Sequence, residues 1–220
     1  FGAGAAAFLL GSENVAARLI GSASVIDNFV DHFRPEGADY DYHWEERWVR
    51  EEGYAKLVPE AARQALADAG LAMADVQHLV MQAMLRAAAG DVVKRLGFAG
   101  TVADDLHAEC GYAGAAAAPL MLARVLENVA PGDRILVLAF GQGADALVLE
   151  ATDAIAQARP TRGVSGSLAS GLLTDSYMRY LSFTDQIALD WGMRAEKSAK
   201  TALTEVWRSG GQIEPFHAGQ

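Results

Sequence analysis

The 220-residue sequence predicts an α/β layered domain built on a mixed five-stranded sheet with helices on its faces, followed by a C-terminal helical arm. Three observations carry this. Short apolar runs bounded by glycine or turn residues recur at 5–10, 15–26, 79–81, 134–140 and 144–151, as buried strands do. Stretches with apolar residues three and four apart lie between some of them, as helices do. Other runs are joined by turns of a few residues. Strands that alternate with helices and then pair through short turns give a layered domain with both parallel and antiparallel neighbours.

In chain order, Ala5–Leu10 is continuously apolar between Gly4 and Gly11, and Gly11-Ser12-Glu13-Asn14 reads as a hairpin loop into the run Val15–Ile26. Residues 31–54 form an irregular aromatic and charged stretch, with Tyr40, Tyr42, His43, Trp44, Trp48 and Tyr54. Such a stretch is either a binding surface or a lid on the core. A helix follows at 56–69, with Leu57, Val58, Ala61, Ala62, Ala65, Leu66 and Ala69 on one face, Pro59 in its first turn and Gly70 as its stop. Leu79-Val80-Met81 is a short buried strand, 90–97 a short helix closed by Gly97, and 114–129 an Ala/Leu-rich helix. Pro131-Gly132-Asp133 turns into the strand Arg134–Phe140. Gly141-Gln142-Gly143 then turns into the returning strand Ala144–Ala151. The domain thus covers 1–151. Residues 152–175 read as a linker, and 176–210 recover helical spacing within an arm that runs to Gln220.

Composition narrows the function. Half the residues are apolar (51%), which supports a packed core and excludes disorder throughout. Eighteen basic against 28 acidic residues give a net charge of −10, so the cationic surplus that phosphate binding needs is missing and a nucleic-acid partner is not expected. No apolar run reaches the roughly 20 residues that span a bilayer, so no membrane segment is expected. The single cysteine, Cys110, excludes intrachain disulfides and multi-thiolate zinc sites, and fits a reducing cytoplasm. Phe1–Leu10 has an apolar run without a basic start, a poor signal peptide. It reads as the interior of a longer strand-rich protein.

Two segments have the residue types for chemistry. The first is His107-Ala108-Glu109-Cys110-Gly111-Tyr112-Ala113-Gly114. It places polar side chains before a Gly/Ala stretch that opens a helix, where unpaired backbone N–H groups suit an oxyanion. A thiol there would have a lowered pKa and be nucleophilic, with His107 as a base. The alternative is a small buried Cys110 beside a surface histidine. The second is Phe140-Gly141-Gln142-Gly143. Its glycines serve either a tight hairpin or a backbone that a substrate approaches closely. It is no dinucleotide fingerprint, because a strand rather than a helix follows. His32, His43 and His78 lack metal-ligand spacing, Glu45 and Glu46 read as a solvated face, and Met81 and Met84 read as core, so no cofactor or metal is expected.

Taken together, four pieces resemble the C-terminal half of the thiolase superfamily, in particular ketoacyl synthase III and 3-hydroxy-3-methylglutaryl-CoA synthase. Gly2-Ala3-Gly4-Ala5-Ala6-Ala7 is similar to the family's G-D-G-A-A-A strand. The stretch from helix 59–69 through Ala74-Asp75-Val76 and Gln82 to Lys94-Arg95-Leu96-Gly97 is similar to the region that holds its catalytic histidine. Cys110-Gly111-Tyr112-Ala113-Gly114 through Pro119-Leu120 is similar to G-N-T-S-x-A-S-x-P-L. Pro131-Gly132-Asp133 through Phe140-Gly141-Gln142-Gly143 is similar to the closing P-G-D…G-F-G-x-G hairpin. The match covers roughly residues 1–151 and rests on the order and spacing of the four pieces.

The resemblance implies an acyl-CoA thioester substrate, in acyl transfer or carbon–carbon bond formation or cleavage within lipid metabolism. It implies Tyr112, His107 and Cys110 as catalytic candidates and Gln82, Gly111, Gly141 and Gly143 as substrate-binding ones. The departures are specific. The family's nucleophilic cysteine belongs to an N-terminal half that this sequence does not contain. Its histidine falls at or next to Gln82, beside Met81, and its asparagine falls on Tyr112. Neither replacement is a good base for Claisen chemistry, but Tyr112 keeps a hydroxyl donor. Some thiolase-like aldolases that work with an OB-fold partner have tyrosines in this way. Residues Thr201–Arg208 and Gln212–Gly219 resemble the junction where relatives meet a zinc-ribbon and OB-fold module. Implied partners are therefore a thiolase N-terminal half, an OB-fold protein, and a second copy in a dimer. The alternative is a non-catalytic thiolase-like subunit that scaffolds a partner.

Overall fold

The computed structural model describes residues 2–188, apart from the side chain of Arg86. Of the described residues, 2–171 form one compact unit and 172–188 belong to a second. In the first unit the elements run β1 (Ala17–Ile26), β2 (His32–Phe33), β3 (Tyr42–His43), α1 (Glu46–Trp48), a π-helical turn (Val49–Tyr54), α2 (Ala55–Asp68), β4 (His78–Met81), α3 (Arg86–Leu96), β5 (Thr101–Val102), α4 (His107–Cys110), α5 (Ala117–Leu126), β6 (Arg134–Gly141), β7 (Gly143–Ala151), α6 (Ile155–Ala158) and α7 (Gly163–Ala169). The main sheet is five-stranded and mixed, in the order β1-β7-β6-β4-β5. β4 is parallel to both β5 and β6, while β7 is antiparallel to β6 and β1.

Alternation along the strands builds two cores. Leu79 and Met81 of β4, Leu136, Leu138 and Phe140 of β6, and Ala144, Ala146 and Val148 of β7 face one side. There they meet Leu57, Val58, Ala61, Ala62, Ala65 and Leu66 of α2, together with Ala88 and Val92 of α3. Val80, Ile135, Val137 and Ala151 face the other side and meet Ala118, Met121 and Leu122 of α5. This is the period-2 pattern of strands buried on both faces, with helices as the covering layers.

The helices deviate from expectation at their ends. Helicity starts upstream of α2, at Glu46, so Pro59 lies inside the helix rather than in its first turn. α3 begins at Arg86, four residues before the expected start, and closes on left-handed Gly97 as anticipated. One strand is corrected. Residues 5–10 form no strand, belong to no sheet, and leave Leu9 and Leu10 exposed. The fifth strand is instead the two-residue β5. An unbroken apolar run reports that something covers it, not which element does. What fixes the start of this segment is backbone contact: Gly2 N–H donates to the Tyr112 carbonyl at 2.8 Å.

In the second unit the described residues, 172–188, contain α8 (Tyr177–Phe183), whose N-terminus is capped by Ser176 Oγ accepting from Arg179 N–H. Of the stretch expected to be helical at 176–210, residues 184–188 are not helical and 189–210 lie outside the described residues, as does the expected OB-fold junction.

Candidate active site

β4 and β6 are parallel, so their carboxyl ends open at the same edge of the sheet. Crevices outside the carboxyl ends of parallel strands are where α/β folds bind ligands. A cavity of about 620 Å³ lies there. Its lining includes Gln82 just after β4, Ala139, Phe140 and Gly141 of β6, Asp145 of β7, and Tyr112, Gly114, Ala115 and Ala118 at the start of α5. The aromatic stretch contributes Asp31, His32, Asp41, His43 and Tyr54. That stretch therefore does border the cavity.

Gln82 organises the floor. It is 5% exposed, the one buried polar side chain among the described residues. Its backbone N–H extends the β4–β6 ladder by donating to Leu138 O at 3.0 Å. Its side-chain Oε1 accepts from Phe140 N–H at 3.0 Å. A backbone N–H can only donate, so the carbonyl end of the amide must face Phe140 and the NH₂ end must face away. Nε2 then donates to the Tyr112 hydroxyl, in a short contact. The phenol oxygen is thereby fixed as an acceptor toward Gln82, with its own proton directed to another acceptor.

Electrostatics keep both phenols of the cavity neutral. Burial raises the Tyr112 pKa; the Gln82 bond lowers it, and Asp31 raises it further. Tyr54 is raised strongly by burial, against the hydrogen bond from Met84 N–H and with Tyr112 and Asp31 adding to the rise. Its ring packs on Phe140 at 4.1 Å between centroids. A neutral phenol in a partly dry site is a hydrogen-bond donor rather than a base.

The other expected site residues are placed as follows. His107 meets Tyr112 edge-on, with ring centroids 5.6 Å apart, and its Nδ1 lies 3.6 Å from Asp105 Oδ2. Cys110 ends α4 rather than opening a helix. Its thiol donates to Leu106 O at 3.3 Å, and burial, with Glu109 nearby, raises its pKa. That is opposite to the lowering expected for a thiol at a helix start, because the free ends at the last turn are carbonyls. Gly111 turns the chain out of α4 with φ 70° and so delivers Tyr112 to the cavity. Gly141 borders the cavity. Gly143 has φ 114°, and a Cβ there would lie 2.1 Å from Val25 O, so its smallness serves the close pairing of β7 with β1. From the sequence, His32, His43 and Tyr54 were named without a site role, and Asp31, Asp41 and Asp145 were given none; the aromatic and charged character of 31–54 was the available signal for all of these but Asp145.

Among the described residues no group of three or more His, Cys, Asp or Glu side chains could hold a metal ion, and no helix is long and apolar enough to cross a membrane.

Residues 66–150 match the family model for the 3-oxoacyl-(acyl-carrier-protein) synthase III C terminal. The chain is 28% identical over 192 residues to a hydroxymethylglutaryl-CoA synthase of Methanosphaera stadtmanae, an alignment covering 86% of this chain and 55% of that protein. It is 32% identical over 198 residues to the hydroxymethylglutaryl-CoA synthase of Pyrobaculum neutrophilum, covering 84% and 54%. It thus spans about half the length of these relatives. The fold is similar to that of 3-oxoacyl-(acyl carrier protein) synthase III from Pseudomonas aeruginosa, with TM-score 0.52 at 21% identity, covering 61% of this chain and 44% of that one. For the Aquifex aeolicus enzyme of the same name the TM-score is 0.53 at 19% identity, covering 64% and 46%. With the mixed sheet, its two covering layers and the cavity at the ends of β4 and β6, these matches support a thiolase-superfamily C-terminal half.

Proposed function

We propose that this chain supplies the carbonyl-polarising part of an acyl-thioester site, for acyl transfer or for making or breaking a carbon–carbon bond. The observation that carries the reading is the Phe140–Gln82–Tyr112 chain of hydrogen bonds on the cavity floor. It orients a neutral phenol before the substrate arrives. A preoriented donor is worth most where negative charge develops on the thioester oxygen, during addition or as an enolate forms. In this reading Tyr112 is the catalytic donor, Gln82 and His107 position it, and Gly141 lets the acyl chain pass close to the backbone. Cys110, its thiol held neutral, takes no proton-transfer role; the attacking group comes from the N-terminal half that the resemblance implies. In a carbon–carbon cleavage the electron pair of the broken bond would pass into the enolate that Tyr112 stabilises.

The test is Tyr112→Phe in the full-length protein that contains this chain. Turnover of its thioester should fall by about 10²–10³-fold, the usual cost of one oxyanion donor, while the thioester Kd changes little. Unchanged turnover would contradict the proposal.

A second reading rests on one observation: Gln82, with Met81 beside it, and Tyr112 stand at or next to the places where the resemblance implies a catalytic histidine and asparagine. It is a non-catalytic thiolase-like subunit that scaffolds a partner. A full-length protein that forms a stable assembly yet turns over no thioester would select it. A cytoplasmic dimer, or a hetero-oligomer with an N-terminal half and an OB-fold protein, suits either reading. Light scattering on the purified assembly distinguishes the two states.

A further inference from the structure

We infer that His32 is the proton-transferring base of the cavity, with Asp31 as its positioning residue. The inference rests on the acyl-thioester reading above and adds the group that makes the enolate. Enolate formation needs a base near the oxyanion donor. The places where the resemblance implies a histidine hold Met81 and Gln82, neither of which is a base. Two histidines line the cavity instead, His32 and His43. Of these, His32 meets a carboxylate: its Nδ1 lies 2.8 Å from Asp31 Oδ1. A carboxylate only accepts, so Nδ1 carries the ring proton and Nε2 of the neutral ring keeps the lone pair. A histidine held in one tautomer by a carboxylate is set to take a proton at its other nitrogen. Imidazole is also a stronger base than a carboxylate, which favours His32 over Asp41 and Asp145, the other two carboxylates of the lining.

The backbone holds this pair in place. β2 and β3 pair in a register that sets His32 opposite His43. The two rings stack, with centroids 5.6 Å apart and planes at 29°, and Trp44 N–H donates to Asp31 O at 3.1 Å. Asp31 also ties the pair to the phenols. Burial is the main cause of the raised pKa of Tyr54 and of Tyr112, and the Asp31 charge adds to both, as a nearby carboxylate does. The Asp31 side chain is 15% exposed and that of His32 51%, so the carboxylate is sheltered while the imidazole exchanges its proton with solvent. In the step assigned here, Nε2 takes a proton from the α-carbon of the bound thioester. The electron pair of the broken C–H bond forms the carbon–carbon double bond of the enolate. The carbonyl π pair moves onto oxygen, which accepts from the Tyr112 hydroxyl. Return of a proton from Nε2 to the α-carbon reverses the step, and that proton has come from solvent.

The test is deuterium uptake at the α-carbon of butanoyl-pantetheine, held saturating on the full-length protein in heavy water and read by mass spectrometry. His32→Ala should slow uptake by about 10²–10⁴-fold, the usual contribution of a positioned base, and added imidazole should restore part of it. Asp31→Asn should slow uptake at saturation while the thioester Kd, from titration calorimetry, stays within about threefold of wild type. The same calorimetry shows whether His32→Ala folds and binds; if it does not, His32→Gln takes its place and should bind without exchanging. Uptake unchanged in the His32 variant, as when the base comes from an N-terminal half, overturns the inference. So does a loss in His32→Ala that imidazole leaves unrestored, or a wild type that binds the thioester without uptake. Tyr112→Phe judges the acyl-thioester reading apart. Uptake lost there but kept in His32→Ala removes the base and leaves the reading, whereas uptake unchanged in Tyr112→Phe contradicts the reading itself.

Discussion

Gln82 links two things usually separate, the ladder of the sheet and the chemistry of the cavity. Its amide satisfies a buried backbone donor and in doing so sets which way Tyr112 faces. Gln82→Leu should therefore leave Phe140 N–H unsatisfied and lower stability by about 1–3 kcal/mol, read by chemical denaturation. An unchanged midpoint would mean that the amide is incidental. The phenols make a second prediction. Tyr54 and Tyr112 both have pKa values raised in the fold, with burial the largest cause. A raised folded value means that the stabilisation is complete below the unfolded tyrosine pKa of about 10 and is lost as pH climbs from there through the folded values. The urea midpoint should fall steeply above about pH 10, and Tyr54→Phe should flatten that fall. At this scale Tyr112 and Gln82 were legible through the resemblance, whose motifs place them by order along the chain. Asp31 and Tyr54 were not, since only the fold brings positions 31, 54, 82 and 112 around one cavity.

Among the elements, β1 depends on closeness. A Cβ at Gly21 would lie 2.5 Å from Ala65 O and 2.8 Å from Ala69 Cβ, so α2 rides directly on the strand's backbone. Asp68 Oδ2 accepts from Ser22 N–H at 2.9 Å and so occupies a donor of β1, an edge strand of the sheet. Gly21→Val should push α2 away and cost about 1–3 kcal/mol in unfolding free energy. A neutral effect would show that the contact relaxes. The start of α7 depends on charge. Glu127 accepts from Val164 N–H, Ser165 N–H and Ser165 Oγ. Burial pushes its carboxyl up, but these bonds and Arg124 outweigh that and hold its pKa below the ordinary carboxylate value. With a depressed folded pKa, its contribution is present above the unfolded value and is lost as pH falls through the folded one. Glu127→Gln should cost about 1 kcal/mol, as loss of a helix cap does, and should remove part of the acid sensitivity of the thermal midpoint.

Elements with many internal repeats of their period were readable: α2, β6 and β7 lie close to where their apolar spacing puts them. Two failures have a common cause. Residues 5–10 have the composition of a strand without a partner in the described sheet, and β5 is a strand of two residues whose partner β4 supplies nearly all the evidence for it. Strand identity is a property of pairs, so an isolated segment can mislead in either direction.

On the scale of the molecule, two opposed cores pin the parallel pair β4–β6 between α2 and α3 on one side and α5 on the other. Both strands then deliver their carboxyl ends, with Gln82 and Gly141, to one edge, and the turn at Gly111, between α4 and α5, brings Tyr112 to the same place. The α/β class and the mixed sheet follow from the sequence alone because alternation and helix spacing are local signals. The cavity needs the whole arrangement. The central claim is that Tyr112 polarises a thioester carbonyl there. Isotope-edited infrared difference spectroscopy measures this directly, using a thioester labelled with carbon-13 at the carbonyl and bound to the full-length protein. The account predicts a carbonyl band shifted to lower frequency on binding, with the shift largely lost in Tyr112→Phe. A bound thioester whose carbonyl frequency is the same in both proteins would contradict it.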